Sequence, residues 1–166
     1  MEELSRGPAR VAEELVRLGV SNTVREMPES TRTAAEAAAA LGCDVAQIVK
    51  SLIFRSVVAD EVLLVMVSGA DRVDESRLAN VVGEDVERAS GRFVRDRTGY
   101  AIGGVPPICH TKALTTYLDE HLLDHDVVWA AAGTPRAVFS VTPGDLVRIT
   151  SAKVVAVSGA RDPSGD

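Results

Sequence analysis

The chain has 166 residues, of which 46% are hydrophobic, and its formal net charge is −6. This length and composition suit one globular domain with its own core and exclude a disordered chain. The acidic balance argues against a protein that grips long stretches of nucleic acid, although contact with the tip of an RNA stays open. The longest apolar run, 62–67, is too short for a membrane span, and the first residues do not resemble a signal peptide. Two cysteines, Cys43 and Cys109, suit the reduced cytoplasm.

The first fifty residues predict two helices around a short strand. Thr33 suits the N-cap of the second helix, because Glu36 follows three residues later and completes a capping box. Glycines after each apolar segment mark the helix ends. In this part we predict a helix over 8–18, a strand over 23–27, a second helix from Thr33 to Gly42, and a short turn over 45–49.

The middle of the chain predicts a hairpin followed by alternating short elements. Ala59 and Asp60 separate two apolar runs and suit the hairpin turn. Both runs are nearly continuous, so both faces of these strands should be covered. We predict strands over 51–58, 61–68 and 86–89, and helices over 74–82 and 92–98.

The last third predicts four strands, over 113–118, 127–131, 137–141 and 153–158, with a short helix over 119–123. Thr142 caps a further helix whose first residue is Pro143. Seven or eight strands and five or six helices in irregular order favour an α+β domain with a curled, barrel-like mixed sheet over a Rossmann fold. We expect a single domain over 1–158 and a flexible tail over 159–166.

Signatures for covalent or metal-dependent catalysis are weak in this chain. No Gly-x-Ser-x-Gly elbow occurs. Cys109 and His110 are adjacent, and on a strand their side chains would point to opposite faces. His121 and His125 are four residues apart and could share an ion on a helix, but no further ligands stand at fitting spacing. We therefore predict no metal and no cofactor.

Two other features are more informative. Lys50 stands between a turn and an apolar strand, where it must either extend to solvent or be held in a cleft. The loop around Gly103, Gly104, Pro106 and Pro107 combines backbone freedom with stiffness. Such a loop is either an unusual tight turn or a device that aims successive N–H groups at one oxyanion. The residues alone leave both choices open.

Four motifs come in a specific order: Lys50-Ser51 before a strand, the glycine–proline loop, Trp129-Ala-Ala-Ala-Gly133, and a Thr-Pro-Gly-Asp motif ending at Asp145. Together they resemble the YbaK family, the prolyl-tRNA-synthetase-associated editing domain, over residues 24–157. The resemblance implies a mixed α/β fold and hydrolysis of the ester between a wrong amino acid and tRNA, without a metal or a protein nucleophile.

The resemblance also implies site residues. Lys50 matches the family's essential lysine, Gly103 and Pro107 match the ends of its Gly-x-x-x-Pro loop, and Asp145 matches an acidic position that we expect to be structural. We expect backbone amides of Gly103 and Gly104 to stabilise the oxyanion and Lys50 to hold a phosphate or the carbonyl region. The expected substrate-binding residues are Thr31, Thr33, Ser51, Val105, Pro107, Ala131, Ala132 and Gly133.

The sequence departs from the cysteine-specific members of the family. They carry a serine where this chain has Ala132. They also carry a polar residue after the following arginine, whereas the strand of this chain reads Val138-Phe139 there. Removal of alanine or another small residue fits better. We expect a cytoplasmic enzyme that meets the acceptor 3′ end of mischarged tRNA, with a synthetase as a second candidate partner, as a monomer or homodimer. The alternatives are a non-catalytic module that binds aminoacyl-RNA or a synthetase, and a small-molecule esterase.

Overall fold

The computed structural model describes residues 4–159 and contains five α-helices and eight strands within them. The helices are α1 (Arg6–Arg17), α2 (Ala34–Leu41), α3 (Glu75–Val82), α4 (Gly91–Thr98) and α5 (Pro143–Thr150). The strands are β1 (Arg25–Glu26), β2 (Val49–Ser56), β3 (Val62–Ser68), β4 (Val86–Arg88), β5 (Thr115–Asp119), β6 (Val128–Ala131), β7 (Ala137–Val141) and β8 (Lys153–Val155). Short 3-10 turns lie at Val45–Gln47 and Glu120–Asp124.

Local signals place most helix ends where the sequence predicts them. The Thr33 hydroxyl accepts a hydrogen bond from the Glu36 N–H at 3.1 Å, and the Glu36 carboxylate accepts from the Thr33 N–H, which confirms the capping box. The Thr142 hydroxyl accepts from the Asp145 N–H at 3.2 Å, with Pro143 at the first helical position. Left-handed glycines follow α2, α3 and α4, where a side chain would be strained.

The strands form two sheets, and the expected closure into a barrel is not seen. One sheet has the order β1-β7-β6 and is antiparallel, whereas the other has the order β4-β2-β3-β5-β8. In the larger sheet β2 pairs antiparallel with β3 and β4, and β5 lies parallel to both β3 and β8. A single parallel bridge between Ile48 and Trp129 connects the start of β2 to β6. The mixed α+β class is confirmed, with two sheets in place of one curled sheet.

The five-stranded sheet is covered on both faces, as its apolar strands predict. On one face Phe54 and Leu63 pack with Leu78 of α3. On the other face Val49 and Met66 join the largest core cluster, which also includes residues of α1, β6, β7 and α5. This second face also carries Ile53, which packs against Val94 of α4. The side chains of β2 therefore alternate between two cores.

Several predicted boundaries are wrong. β2 begins at Val49, so Lys50 lies inside the strand instead of before it. Residues 119–123 form part of β5 and a 3-10 turn, not an α-helix, and β8 ends at Val155. Of the predicted tail, residues 160–166 lie outside the described part. Within residues 4–159, no helix is both long and apolar enough to cross a bilayer.

Candidate active site

A cavity of about 510 Å³ lies alongside β2. Its walls come from several further places in the chain: the start of α2, the segment after β3, the end of β4, α4, the loop before β5, β6 and β7. A volume of this size is typical of sites that enclose small molecules. The cavity therefore brings together residues that are far apart in sequence.

Within residues 4–159, the part of the β2 edge that forms the floor of the cavity has no neighbouring strand. β4 pairs only with Phe54–Ser56, so the first half of β2 has β3 on one side and the cavity on the other. The Ile48 carbonyl accepts from Gly69 on the β3 side, whereas the Ile53 carbonyl accepts from Ala89 on the β4 side. Main-chain groups alternate sides along an antiparallel strand, so the N–H and C=O of Ser51 face the open edge.

Ser51 also carries an unpartnered hydroxyl. Its Oγ atom is buried and has no hydrogen-bond partner within residues 4–159. A buried hydroxyl in this state costs about 1–3 kcal/mol, which a bound molecule that supplies a partner can recover. Ser51 lines the cavity, as the sequence predicts.

Lys50 lines the cavity as well, and its ammonium group is held by the main chain. The Nζ atom donates a hydrogen bond to the carbonyl oxygen of Asp71, in the segment that follows β3. The side chain is neither fully buried nor directed away to open solvent, so of the two choices left by the sequence the structure shows a lysine held in a cleft.

The glycine–proline loop contributes Gly103 to the cavity wall. Gly103 has φ +86°, and a Cβ atom there would lie 2.4 Å from Arg32 Cγ and 2.9 Å from the Arg32 carbonyl oxygen. Only glycine fits this backbone conformation and this close approach. Within residues 4–159 the Gly103 N–H has no hydrogen-bond acceptor. This amide is therefore free to donate to a ligand.

Gly104 has a different part in the structure. Its N–H donates to the Ala101 carbonyl at 2.9 Å, and its carbonyl accepts from Gly133 at 3.0 Å. A Cβ atom would lie 2.7 Å from the Thr134 carbonyl carbon. Gly104 thus lets two loops close against each other, and its amide is already paired. The expectation that both glycine amides point at one oxyanion is not met for Gly104.

The remaining predicted residues divide between the wall and its support. Thr31, Val105 and Ala131 line the cavity, but the Thr31 hydroxyl already donates to the Pro135 carbonyl. Thr33 also lines the cavity, although its hydroxyl caps α2. The lining does not include the buried residues Pro107 and Ala132, nor does it include Gly133.

Several cavity residues were not predicted from the sequence. Arg32, Arg72 and Arg88 line the cavity with Lys50, and Glu75 is the one carboxylate among the described residues of the lining. A cavity with four cations and one anion is notable in a chain whose net charge is −6. The excess of arginine over lysine was the only sequence feature that pointed to these residues, and composition alone does not show which arginines lie together in the cavity.

Trp129 is the one aromatic side chain besides Phe54 in the lining. The Arg25 guanidinium carbon lies 4.8 Å from the centre of its ring, a cation–π contact that fixes the indole. Trp129 also packs against the alanine face of α2, through Ala34 and Ala37. In the sequence, Trp129 is part of a motif, but no role is predicted for it.

The other titratable candidates lie outside the cavity lining. Cys109 has φ +66° and lies outside any strand, and burial raises the pKa of its thiol. The His110 ring bonds the Pro106 carbonyl at 2.7 Å, and burial lowers its pKa. Neither side chain is placed to act on a molecule in the cavity.

His121 has partners other than His125. Its Nδ1 atom lies 2.8 Å from the Asp71 carboxylate and 3.6 Å from that of Asp119. The hydrogen bond to Asp71 raises the His121 pKa, and the negative charges of Asp119 and Glu120 add to this effect. Asp119 accepts bonds from the backbone of residues 157 and 158. This cluster supports the segment that carries Arg72.

Comparisons with known proteins show which family the chain resembles. A sequence model of the aminoacyl-tRNA editing domain matches residues 28–149. The uncharacterized protein YwhH of Bacillus subtilis (strain 168) is 31% identical over 133 residues, which is 80% of this chain and 84% of YwhH.

Two solved structures share the fold and much of the sequence. One, described as a candidate trans-editing enzyme for prolyl tRNA synthetase, is 45% identical with a TM-score of 0.87, over 95% of this chain and all of the other. The second, hypothetical protein APE2540, is 33% identical with a TM-score of 0.85, over 90% of this chain and 99% of the other.

Proposed function

Since the chain belongs to the aminoacyl-tRNA editing domain family and is an aminoacyl-tRNA deacylase, we propose that it acts in trans on tRNA for proline that carries a small wrong amino acid, alanine or cysteine. The observation that carries this proposal is the meeting of Lys50, the unpartnered Ser51 hydroxyl and the free Gly103 amide in one cavity. The neighbouring structure described as a candidate trans-editing enzyme for prolyl tRNA synthetase supports the choice of tRNA.

The cavity suits the 3′-terminal aminoacyl-adenosine of a tRNA. Its volume of about 510 Å³ accommodates a nucleoside with a small acyl group. Lys50, Arg72 and Arg88 supply cations for the terminal phosphate, and guanidinium groups pair with phosphate oxygens in a bidentate way. Trp129 offers an aromatic surface next to these charges.

The reaction we propose is direct attack of water on the ester carbonyl. The Gly103 N–H donates to the developing oxyanion, and one such donor typically changes the rate about 100- to 1,000-fold. The bond between the acyl carbon and the ribose oxygen then breaks, and the proton lost by the attacking water passes to the leaving ribose oxygen through the neighbouring hydroxyl, which releases the free amino acid. Lys50 fixes the phosphate or carbonyl region by its charge.

We propose that this chemistry proceeds without a metal ion. Among the lining residues within 4–159, Glu75 is the one carboxylate and no histidine or cysteine is present, so these residues offer a poor ligand set for a metal. Within residues 4–159, the one group of three side chains close enough to share an ion is Asp71, Asp119 and His121, and it does not line the cavity.

Specificity in this proposal depends on limited space. Ala34, Ala37 and Ala131 line the cavity with small side chains, and Ile48 and Val138 add branched ones. A rigid wall rejects a larger amino acid by steric clash, although one methylene group changes the discrimination by only about 1–3 kcal/mol. Ala132 does not line the cavity, so the preference for alanine over cysteine rests on the resemblance: the cysteine-specific members carry a serine at this position.

The test is a deacylation panel on tRNA for proline charged with alanine, cysteine or proline. Wild-type protein should release alanine fastest, and Lys50→Ala should lose at least about 100-fold in kcat/KM while keeping its unfolding midpoint. Lys153→Ala is a matched control, because Lys153 is an exposed residue of β8 outside the cavity. Full activity in folded Lys50→Ala would refute the role of Lys50.

The panel also separates the competing functions. A binding module would bind charged tRNA without release of amino acid, and a small-molecule esterase would cleave simple esters but not charged tRNA. We propose the cytoplasm as the compartment and a synthetase as an additional partner. The panel run with and without purified prolyl-tRNA synthetase tests whether that partner alters the rate.

A further inference from the structure

A second concavity of about 370 Å³ adjoins the cavity described above. Arg32 and Ile102 line both, so they form a shared rim between the two. The floor of the second concavity comes from α4 and the loop that follows it. Its lining consists of Arg32, Gly91, Arg92, Arg95, Asp96, Ala101, Ile102 and Pro135.

The charge of this concavity is opposite to that of the whole chain. It has three arginines and one aspartate, whereas the chain carries −6. Arg92 is 92% exposed and reaches Asp96 only at 3.8 Å, and Arg95 has no ion-pair partner within residues 4–159. By contrast, Arg97 on the same helix pairs with Asp60 at 2.7 Å. Arg92 and Arg95 are therefore exposed cations available to an anionic partner.

We propose that the concavity of Arg92 and Arg95 binds backbone phosphates of the tRNA acceptor end, upstream of the terminal nucleotide in the main cavity. This inference rests on the proposed function, since it needs the aminoacylated nucleotide to occupy the cavity beside it. A strand that leaves the cavity over Arg32 and Ile102 meets these arginines next. Arginine matches phosphate geometry, and the exposed Ile102 offers apolar surface to an unstacked base.

Contacts with phosphates do not depend on the base sequence. They therefore raise the affinity for tRNA and orient its acceptor end, but they do not discriminate between tRNAs. In this way a protein with a negative net charge has a local basic site that binds RNA, without the extended basic surface of proteins that bind long nucleic acids. The arrangement also predicts that substrates shorter than the acceptor end miss this contribution.

The test compares two substrates with the same amino acid: charged tRNA and 3′-aminoacyl-adenosine, which reaches only the main cavity. The double variant Arg92→Gln/Arg95→Gln should lose on the order of tenfold in kcat/KM on charged tRNA, mainly through KM. Its kcat/KM on aminoacyl-adenosine should stay within about twofold of wild type. The slope of log kcat/KM against log salt for tRNA should become shallower by about 1–2.

A matched control is Arg17→Gln/Arg148→Gln, which removes the same charge at exposed sites outside both concavities. An equal loss in the control, an equal loss on both substrates, or an unchanged rate on tRNA would overturn the proposal. Binding of uncharged tRNA, followed by fluorescence anisotropy, tests the same surface without hydrolysis. Weaker binding of the variant supports the surface even if wild type cleaves no charged tRNA, an outcome that would refute only the proposed function.

Discussion

The ammonium group of Lys50 donates a hydrogen bond to the main-chain carbonyl of Asp71, and the side chain of Asp71 in turn bonds His121. His121 also lies 3.1 Å from the Ser158 hydroxyl. The position of the lysine in the cavity thus depends on a segment that is fixed from behind by β5 and the residues after β8. Groups outside the cavity can therefore influence its geometry.

The His121–Asp71 pair should make stability depend on pH. The bond raises the His121 pKa, so protonated His121 stabilises the folded state. This contribution is complete below the ordinary histidine pKa of about 6.5 and disappears as pH rises through the raised value. Because His121 is half exposed, we expect His121→Gln to lose less than about 1 kcal/mol at pH 5.5, and less still at pH 8.5.

Urea unfolding at the two pH values measures this difference. In the Asp71→Asn background, the further change His121→Gln should alter the free energy of unfolding by the same amount at both pH values. A larger loss at pH 8.5 than at pH 5.5 would contradict the assignment of the pair.

Gly104 and Gly144 provide a matched pair of glycine substitutions. Gly104→Ala places a Cβ atom within 3 Å of the backbone of Thr134 and Pro135, so two loops must separate, and we expect a loss of about 1–3 kcal/mol. Gly144→Ala meets nothing within 4 Å and lies in α5, where alanine is favoured over glycine by up to about 1 kcal/mol. Denaturant midpoints should therefore move in opposite directions, and equal midpoints would disprove the tight loop contact.

Ala131 tests the wall of the cavity. Ala131→Val adds two methyl groups on β6 where it lines the cavity. The narrower space should reduce kcat/KM for a larger amino acid about 10- to 200-fold more than for alanine. Parallel deacylation assays with tRNA charged with alanine or 2-aminobutyrate give this ratio. An equal loss of kcat/KM on both substrates would show that the side chain of the bound amino acid does not lie against Ala131.

Thr33 tests the support of the same wall. Because its hydroxyl closes the capping box of α2, Thr33→Ala should lower the free energy of unfolding by about 1 kcal/mol. Thr33→Ser keeps the oxygen and should recover most of this loss. Urea denaturation of the three proteins decides the matter; a serine variant as unstable as the alanine variant would assign the effect to the lost methyl group.

The helices and most strands could be predicted because their signals are local. The capping box at Thr33 and the proline after Thr142 are readable within four residues. The division into two sheets could not be predicted, since it depends on which strands meet across long stretches of chain. The same holds for the site: Lys50 and Gly103 were found through an ordered set of motifs, whereas Arg72 and Arg88 carry no local mark.

Gly104 shows why the sequence alone could not predict which glycine amide is left without a partner among the described residues. Two adjacent glycines suggest two free amides, but the sequence does not reveal that one of them closes a turn on Ala101. Similarly, the pairing of His121 with Asp71 joins residues fifty positions apart. Partners at such separations are set by the tertiary fold.

The unpaired first half of β2 has a consequence for self-association. A bare strand edge ordinarily invites a strand of another molecule to add to the sheet, and proteins obstruct such edges to stay soluble. Here residues of α2 and β6, among them Ala37 and Trp129, line a recess along this edge, so a strand of another molecule would have to enter a walled cavity to pair with β2. We therefore expect that the recess, which leaves main-chain groups of β2 unpaired beside the cavity, also hinders the addition of a strand from another molecule to this sheet.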